Sequence, residues 1–203
     1  MPVHTPNHRS VSFTPQRWGT RGQTLAEVAI TLPLLILMLV GTLQVGWALY
    51  QDHVVKKVAR EAANMISRQV TMDSVATAIQ NSQLYPGGSF DSNAKLILSV
   101  VRLGTGGSNL NQPIISQRRS IGSLGGTSSI GNPGAGSYTG GPNYVATAPD
   151  ADTGIRASMP TGLTLVSGQI VYVAELYMRR SDMADLSQWG ITMPSTYYTR
   201  VFF

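Results

Sequence analysis

The hydrophobic pattern of the chain is dominated by one uninterrupted apolar run near its N-terminus. No charged residue occurs among the 24 residues between Glu27 and Asp52. As a helix, with a rise of about 1.5 Å per residue, this run is roughly 36 Å long, which exceeds the roughly 30 Å hydrocarbon core of a bilayer. A helix that is apolar all round suits lipid better than a protein surface, so we predict a membrane span over about residues 28–50.

After Asp52 the pattern changes from uniformly apolar to amphipathic. Apolar residues recur at steps of three and four, which predicts one buried helical face. The helix is therefore expected to continue beyond the span to about Thr71, giving one long helix over residues 23–71. Asp73 is a candidate N-cap for a second, short helix that ends near Leu84. The apolar stripe consists of Val55, Ala59, Ala62, Ile66 and Val70.

Three segments in the second half of the chain alternate in the manner of β-strands. They are residues 95–103, 169–180 and 196–203. We expect them to form a small antiparallel sheet that packs on the apolar stripe, in a domain over residues 72–203. The predicted fold class is therefore α+β, with a long N-terminal helix followed by a small sheet domain that carries a Gly-rich insertion.

The Gly-rich insertion, residues 104–168, holds 14 of the 21 glycines together with many Ser, Thr, Asn and Pro residues. A segment of this length without periodicity is usually flexible, a binding loop or a set of short irregular strands. Its composition favours a solvent-exposed loop or weak hairpins over a surface that contacts a partner. Arg118 and Arg119 are expected to be solvated. No lysine follows the glycines at the spacing of a phosphate-binding loop.

The formal net charge of +5 overstates the basic character of the main part of the chain. Arg9, Arg17 and Arg21 belong to residues 1–22, which contain no acidic residue, so the remaining residues carry 12 basic and 10 acidic side chains, a net charge of +2. No dense basic patch remains, and the sequence does not favour nucleic-acid binding. Residues 1–22 are expected to form a disordered leader on the cytoplasmic side, although three basic residues also follow the span.

The composition offers little support for catalysis or metal binding. There is no cysteine, which excludes thiol chemistry and cysteine metal sites without specifying the compartment. His53 is the one histidine after residue 22, and no HExxH, GxxxxGK or GxSxG pattern occurs. We expect His53 to be an ordinary residue near the membrane interface. The sequence therefore predicts a non-enzymatic protein without a cofactor or a metal ion.

A glycine and a glutamate mark the start of the apolar run. Gly22 follows the basic segment, four uncharged residues come next, and Glu27 then precedes the apolar residues. This arrangement resembles the class III signal of type IV pilin-like proteins. The resemblance implies that a prepilin peptidase cuts between Gly22 and Gln23, so that Glu27 becomes the fifth residue of the mature chain. A glycine leaves the backbone open to such a protease.

Cleavage at this point would give Gln23 a free α-amino group, which is positively charged near neutral pH. A carboxylate at the edge of a membrane requires a partner. In a bundle of such helices, Glu27 would pair with the amine of a neighbouring subunit and set the axial register. Pro33 removes one backbone hydrogen bond and should bend or loosen the helix, which neighbouring helices in a membrane tolerate. Trp47 and Tyr50 lie where an aromatic belt would mark the far interface.

Over about residues 21–70 the sequence looks like the TadE-like family of tight-adherence pilus components. The resemblance rests on the glycine and glutamate, the Leu-rich run with its proline, the exit sequence GWALY and the continuation VAREAANMISR. It implies a minor pilin or pseudopilin that crosses the cytoplasmic (inner) membrane once, with an extracytoplasmic C-terminal domain, and that stays there or enters a pilus. The implied partners are a prepilin peptidase, other pilins or pseudopilins, an inner-membrane pilus assembly platform and the lipid bilayer.

Three other interpretations fit parts of this pattern: two other classes of protein and a different type of signal sequence. A plain single-pass membrane protein would present its C-terminal domain for binding without polymerising. An envelope enzyme would need a catalytic set that the sequence does not display. A conventional secretory signal is disfavoured, because its apolar region is usually about 7–15 residues long. The nearest approach to its cleavage site here, Gly46-Trp47-Ala48, also has a bulky residue in the middle.

Overall fold

The structure is a computed structural model in which the chain forms two compact units, Met1–Thr42 and Leu43–Phe203. The first unit holds the start of a long helix, and the second combines the rest of that helix with a β-sheet. Most of the predicted leader lies outside the described residues. The structure describes residues 20–82, 89–131, 136–181 and 194–203.

Helix α1 spans Thr20–Ser67 and continues without interruption through Pro33. It ends about one turn earlier than the apolar stripe predicted. Gln69 adopts a left-handed conformation with a φ of 63°, and the N–H of Val70 donates to the carbonyl of Met65 at 3.2 Å. This arrangement closes the helix C-terminus, usually with glycine in the left-handed position. Because glutamine occupies it here, the sequence carries no obvious stop signal.

Helix α2 spans Met72–Gln80 and begins at a different cap from the predicted one. Its N-cap is Thr71, whose side chain accepts a hydrogen bond from the N–H of Ser74 at 3.2 Å. Asp73 lies in the first turn instead, where a negative charge is favourable. The helix ends at Gln80, with Asn81 as its C-cap, and so stops before the predicted end near Leu84, a residue outside the described ranges.

The described residues of the C-terminal unit form one antiparallel sheet of four strands. The single-turn helix α3 (Phe90–Asn93) is followed by β1 (Ala94–Leu103), β2 (Pro113–Ile121), β3 (Ile170–Arg179) and β4 (Thr196–Phe202). The spatial order is β2-β1-β3-β4, so β1 and β3 form the centre of the sheet. The predicted α+β class and antiparallel sheet are therefore confirmed, with one strand more than the sequence analysis found.

One face of the sheet packs on α1 and α2 to form the larger core. Four of the five residues of the predicted apolar stripe are buried there, and the fifth, Val70, is 36% exposed beyond the helix end. Alternate residues of each central strand point toward the helices, as the period of two predicted. The strand residues in this core are Ala94, Leu96, Leu98, Val100, Ile121, Ala174, Leu176 and Met178.

The opposite face of the sheet is covered by the Gly-rich insertion rather than by helices. Ile130 is fully buried and packs with Val171 and Val173 of β3, and β2 itself lies within the insertion and pairs with β1. For these residues the structure differs from the expected exposed loop or weak hairpins. The strand escaped prediction because its central residues, SQRRS, are all polar and hide the alternation.

A buried carboxylate ties the Gly-rich insertion to the sheet. Glu175 of β3 is fully buried and accepts hydrogen bonds from Ser128 Oγ and from the N–H and Oγ of Ser129, the latter two at 2.7 Å. The hydroxyl of Tyr198 on β4 lies 2.9 Å from Glu175 Oε1, and Arg200 donates to Ser129 Oγ at 2.6 Å. A buried charge persists only when it is paired or hydrogen-bonded. We call these five residues the Glu175 cluster.

Burial raises the pKa of Tyr198 to about 12. The hydrogen bond with Glu175 and the negative charge of that residue act in the same direction, whereas the hydrogen bond with Ser129 opposes them. Tyr198 therefore remains a hydrogen-bond donor at neutral pH. Because this pKa exceeds the usual value of 10.0, the stabilisation that it brings is fully present below pH 10 and is lost as the pH rises through about 12.

Replacing Ile130 by alanine should destabilise the protein by about 2–5 kcal/mol, because a buried side chain is lost and a cavity remains. The urea midpoint of the full chain in detergent measures this change. Val166 lies in the same insertion but is 65% exposed, so Val166→Ala is a matched control that should cost less than about 0.5 kcal/mol. Equally small effects of both changes would contradict the assignment of the insertion to the core.

Replacing Glu175 by alanine should also destabilise the protein, because each buried donor left without an acceptor costs about 1–3 kcal/mol. Glu175→Gln should cost less, since the amide oxygen still accepts. Thermal unfolding followed by circular dichroism measures both. Glu61 is partly exposed on α1, and Glu61→Ala controls for the loss of a charge alone. A Glu175→Ala variant no less stable than Glu61→Ala would show that the cluster is unimportant for stability.

Candidate assembly surface

The N-terminal part of α1 exposes large apolar side chains on all of its sides. Their exposed fractions lie between 47% and 76%, and the helix contains a window with a mean hydropathy of 2.3. An apolar surface of this extent is unfavourable in water and marks a region that lipid or other helices cover. By length and composition the helix fits a single-pass membrane anchor. These side chains are Leu25, Val28, Ile30, Leu32, Leu34, Leu35, Ile36, Leu37, Met38 and Leu39.

Gly22 and Gln23, the predicted processing residues, lie in the first turn of α1. Gly22 is exposed, and no atom lies within 4 Å of the position that a Cβ would take. The fold of this chain therefore has no steric need for a glycine at this position. If the protein requires glycine there, the requirement comes from a molecule that acts on the chain.

Glu27 and Pro33, the predicted assembly residues, lie six residues apart on α1 and therefore on different faces of it. The side chain of Glu27 is exposed, and its backbone carbonyl accepts a hydrogen bond from Thr31 Oγ1 at 2.9 Å. Pro33 has no N–H and cannot donate to the carbonyl one turn earlier. The processing and assembly residues are thus distributed along one helix and do not enclose a pocket.

A hydrogen-bonded cluster that the sequence analysis missed joins α1 to the chain just after β3 and to β4. The side-chain amide of Gln51 donates to the carbonyl of Ser181 and accepts from its N–H at 3.0 Å. Trp47 Nε1 donates to the same carbonyl at 2.9 Å. The hydroxyl of Tyr197 donates to the backbone carbonyl of Ala48 at 3.1 Å. We call these five residues the exit clasp.

Gln44 lies on the same face of α1 as the exit clasp and is only 3% exposed. Two glutamines seven residues apart, with Trp47 between them, interrupt the apolar run on one face. This spacing is the signal in the sequence that predicts such a cluster. Trp47, which was expected to mark the far interface, lies half-buried in the exit clasp. Its ring stacks on that of exposed Tyr50 at 5.5 Å.

The part of α1 after the exit clasp has a charged face opposite its buried stripe. His53 is exposed there. Lys56 Nζ lies 2.6 Å from Asp52, and Lys57 Nζ lies 3.9 Å from Glu61. Pairs with this spacing stabilise a helix by a few tenths of a kcal/mol. This face has the features of an ordinary solvated helix surface.

The two arginines of β2 are more enclosed than expected. Arg119 forms an ion pair with Asp73 of α2 and lies 5.0 Å from the centre of the Tyr144 ring, so it holds β2 and the insertion against α2. Arg118 is half-buried. Among the described residues, no group of three or more His, Asp or Glu side chains is placed to hold a metal ion. The Glu175 cluster is occupied by its own hydrogen-bond donors.

The C-terminal unit also carries a groove of about 350 Å³ between the end of α1 and the adjoining ends of the sheet strands. Val70, Val145 and Ile170 contribute exposed apolar surface to it, and Arg102 and Gln117 contribute polar groups. Its volume lies at the lower end of the range for small-molecule sites.

Comparison with known proteins gives information on α1 and not on the sheet. A search of curated proteins and a search of solved structures each returned no match. The scan against family models matched a segment that contains the predicted processing and assembly residues. The resemblance inferred from the N-terminal motif and the apolar run is confirmed over that segment: residues 22–64 match the model of the TadE-like protein family.

Proposed function

We propose that this protein is a pilin-like subunit, a minor pilin or pseudopilin, of a tight-adherence type IV pilus-like assembly or secretion machine. The observation that carries the proposal is the exposed apolar surface of α1 within the segment that matches the TadE-like family. Such a surface would contact lipid before assembly and neighbouring helices after assembly. The role is structural, and no cofactor takes part.

The first step would be removal of residues 1–22 by a prepilin peptidase. The exposure of Gly22 and the free space around it support this step, because a protease requires accessible backbone at the bond that it cuts. Cutting after Gly22 creates a positively charged amine on Gln23.

The second step would be lateral assembly through α1. Gln23 and Glu27 are one helical turn apart, so a new amine and a carboxylate lie near the same end of every subunit. Pairing of Glu27 with the Gln23 amine of a neighbour would neutralise both charges in a low-dielectric bundle. The pair would also select one axial register, since displacement of one helix along the other separates the charges.

The cellular location that we propose rests on the leader and on the apolar helix. The leader arginines favour the cytoplasmic side for the N-terminus, so the C-terminal unit would be outside the cytoplasm. The subunit would reside in the inner membrane, contact a pilus assembly platform there and join other pilins or pseudopilins. Incorporation into a filament is one outcome, and retention at the membrane is the other.

A second candidate is a single-pass membrane protein that presents a binding domain and does not polymerise. The groove of about 350 Å³ beside Arg102 favours it, because a subunit with a purely structural role has no need of such a groove. Disulfide cross-linking separates the two functions, since Leu32→Cys places a thiol on the exposed apolar surface. A ladder of cross-linked species containing this protein or other pilins supports assembly, and an unchanged monomer in membranes that assemble pili supports the alternative.

Replacing Gly22 by alanine should leave the full-length precursor in the membrane, detected by immunoblot and by N-terminal sequencing. The fold accepts the added methyl group, because nothing lies within 4 Å of it. Gly41 in the same helix has equally open surroundings, so Gly41→Ala is a matched control that should be processed normally. A mature N-terminus at Gln23 in the Gly22→Ala variant would contradict the role of this glycine, and wild-type protein that begins at Met1 would contradict processing altogether.

Replacing Glu27 by alanine or glutamine should leave membrane insertion and processing intact but reduce incorporation into sheared filaments by at least about tenfold. The expected loss corresponds to about 1.4 kcal/mol per neighbour contact. Glu61→Gln removes a carboxylate from the charged face of the same helix and should incorporate normally. Normal incorporation of the Glu27 variants would refute the ion pair, whereas equal defects in both would indicate a general dependence on charge.

A further inference from the structure

The exit clasp brings non-helical backbone to α1 before the apolar run ends. Ser181 lies two residues after the end of β3 and contacts both Trp47 and Gln51. The N–H of Arg180 donates to the carbonyl of Ser195, which precedes β4 and is exposed. The segment of helix from Trp47 to Gln51 therefore lies beside the connecting ends of two strands.

Such connecting backbone cannot be exposed to hydrocarbon. Lipid chains supply no hydrogen-bond partners, so irregular backbone and open sheet edges do not occur in contact with the bilayer core. Arg179 adds a charge at the same level, because it is exposed and lies two residues before Ser181. Arginine in the middle of a membrane costs about 2.5–3.5 kcal/mol or more. On the face of α1 that carries the clasp, the hydrocarbon core must end before Trp47.

The burial of Gln44 places the end of the hydrocarbon core about one helical turn closer to the N-terminus. Its side chain is 3% exposed, and it lies in the C-terminal unit, which begins at Leu43. Protein rather than lipid therefore surrounds this amide. Neighbouring side chains on the other faces of the helix, including Val45 and Leu49, remain about half exposed.

We propose that the far boundary of the hydrocarbon core lies at Gln44 rather than near Tyr50, and that the clasp side of the C-terminal unit rests on the lipid headgroups. This inference rests on the membrane anchoring in the proposed function and adds the depth of insertion. Residues 45–50 then extend about 9 Å, comparable with the roughly 5–8 Å of headgroup region on each side of the core. The stacked rings of Trp47 and Tyr50 suit that region.

This boundary moves the whole span toward the N-terminus. The 20 residues from Leu25 to Gln44 cover about 30 Å as a helix, which equals the thickness of the hydrocarbon core. The span becomes residues 25–44 instead of 28–50. Glu27 is then about 3 Å inside the hydrocarbon instead of at its edge. A carboxylate at that depth depends more strongly on a cationic partner, and the amine of Gln23 would lie just outside the boundary.

The depth of introduced labels tests the boundary, and the lack of native cysteine makes single labels specific. Full-length protein with one cysteine at Ile30, Leu34, Leu39 or Leu43 is labelled with a nitroxide and reconstituted into phosphatidylcholine–phosphatidylglycerol vesicles. All four side chains are exposed, so a label does not disrupt the core. The ratio of collision rates with oxygen and with a water-soluble nickel chelate gives the depth. His53→Cys is the aqueous control.

With the boundary at Gln44, the label at Leu34 is the deepest and those at Ile30 and Leu39 are equally deep. The label at Leu43 then lies within about 2 Å of the boundary. If Leu39 is instead the deepest and Leu43 lies about 10 Å inside, the boundary is wrong while membrane anchoring stands. If the protein does not float with the vesicles in a density gradient, both the boundary and the anchoring are wrong.

Discussion

The packing of one continuous helix in two different environments governs this structure. Along its first part, α1 presents large apolar side chains in every direction, and no part of the described chain covers them. Along its last part it buries one face only, with alanines at Ala59, Ala62 and Ala63 that let the sheet approach closely. A long helix is stable in water only when its apolar face is packed, so the sheet domain supports the second part, and lipid or neighbouring subunits must support the first.

The sheet needs a cover on both faces, because its two central strands are apolar on both. Helices supply the cover on one face and the Gly-rich insertion supplies it on the other. The insertion has few large apolar residues, and polar contacts compensate for the small apolar area. The Glu175 cluster holds the middle of the insertion on the sheet, and the ion pair of Arg119 with Asp73 holds β2 beside α2.

The exit clasp connects the fold to the proposed function. It holds the end of β3 and the start of β4 on α1 at the place where the helix changes environment. The clasp also lies at the boundary proposed for the hydrocarbon core, about one helical turn beyond the buried Gln44.

Features that depend on neighbouring residues were determined by the sequence itself. They include the amphipathic stripe and three of the four strands, which show in the sequence as periodic patterns. They also include the apolar run and the N-terminal motif shared with the TadE-like family, each of which lies within a short window of sequence. Tertiary contacts alone decided the rest. Gln69 ends α1 in a conformation that glutamine rarely adopts, and β2 is a strand because β1 pairs with it. Glu175 has the sequence pattern of a solvent-facing residue and is buried because serines 46 and 47 residues earlier fold over it. Hydrogen bonds between residues so far apart leave no periodic trace in the sequence, and their partners become known only when the chain is folded.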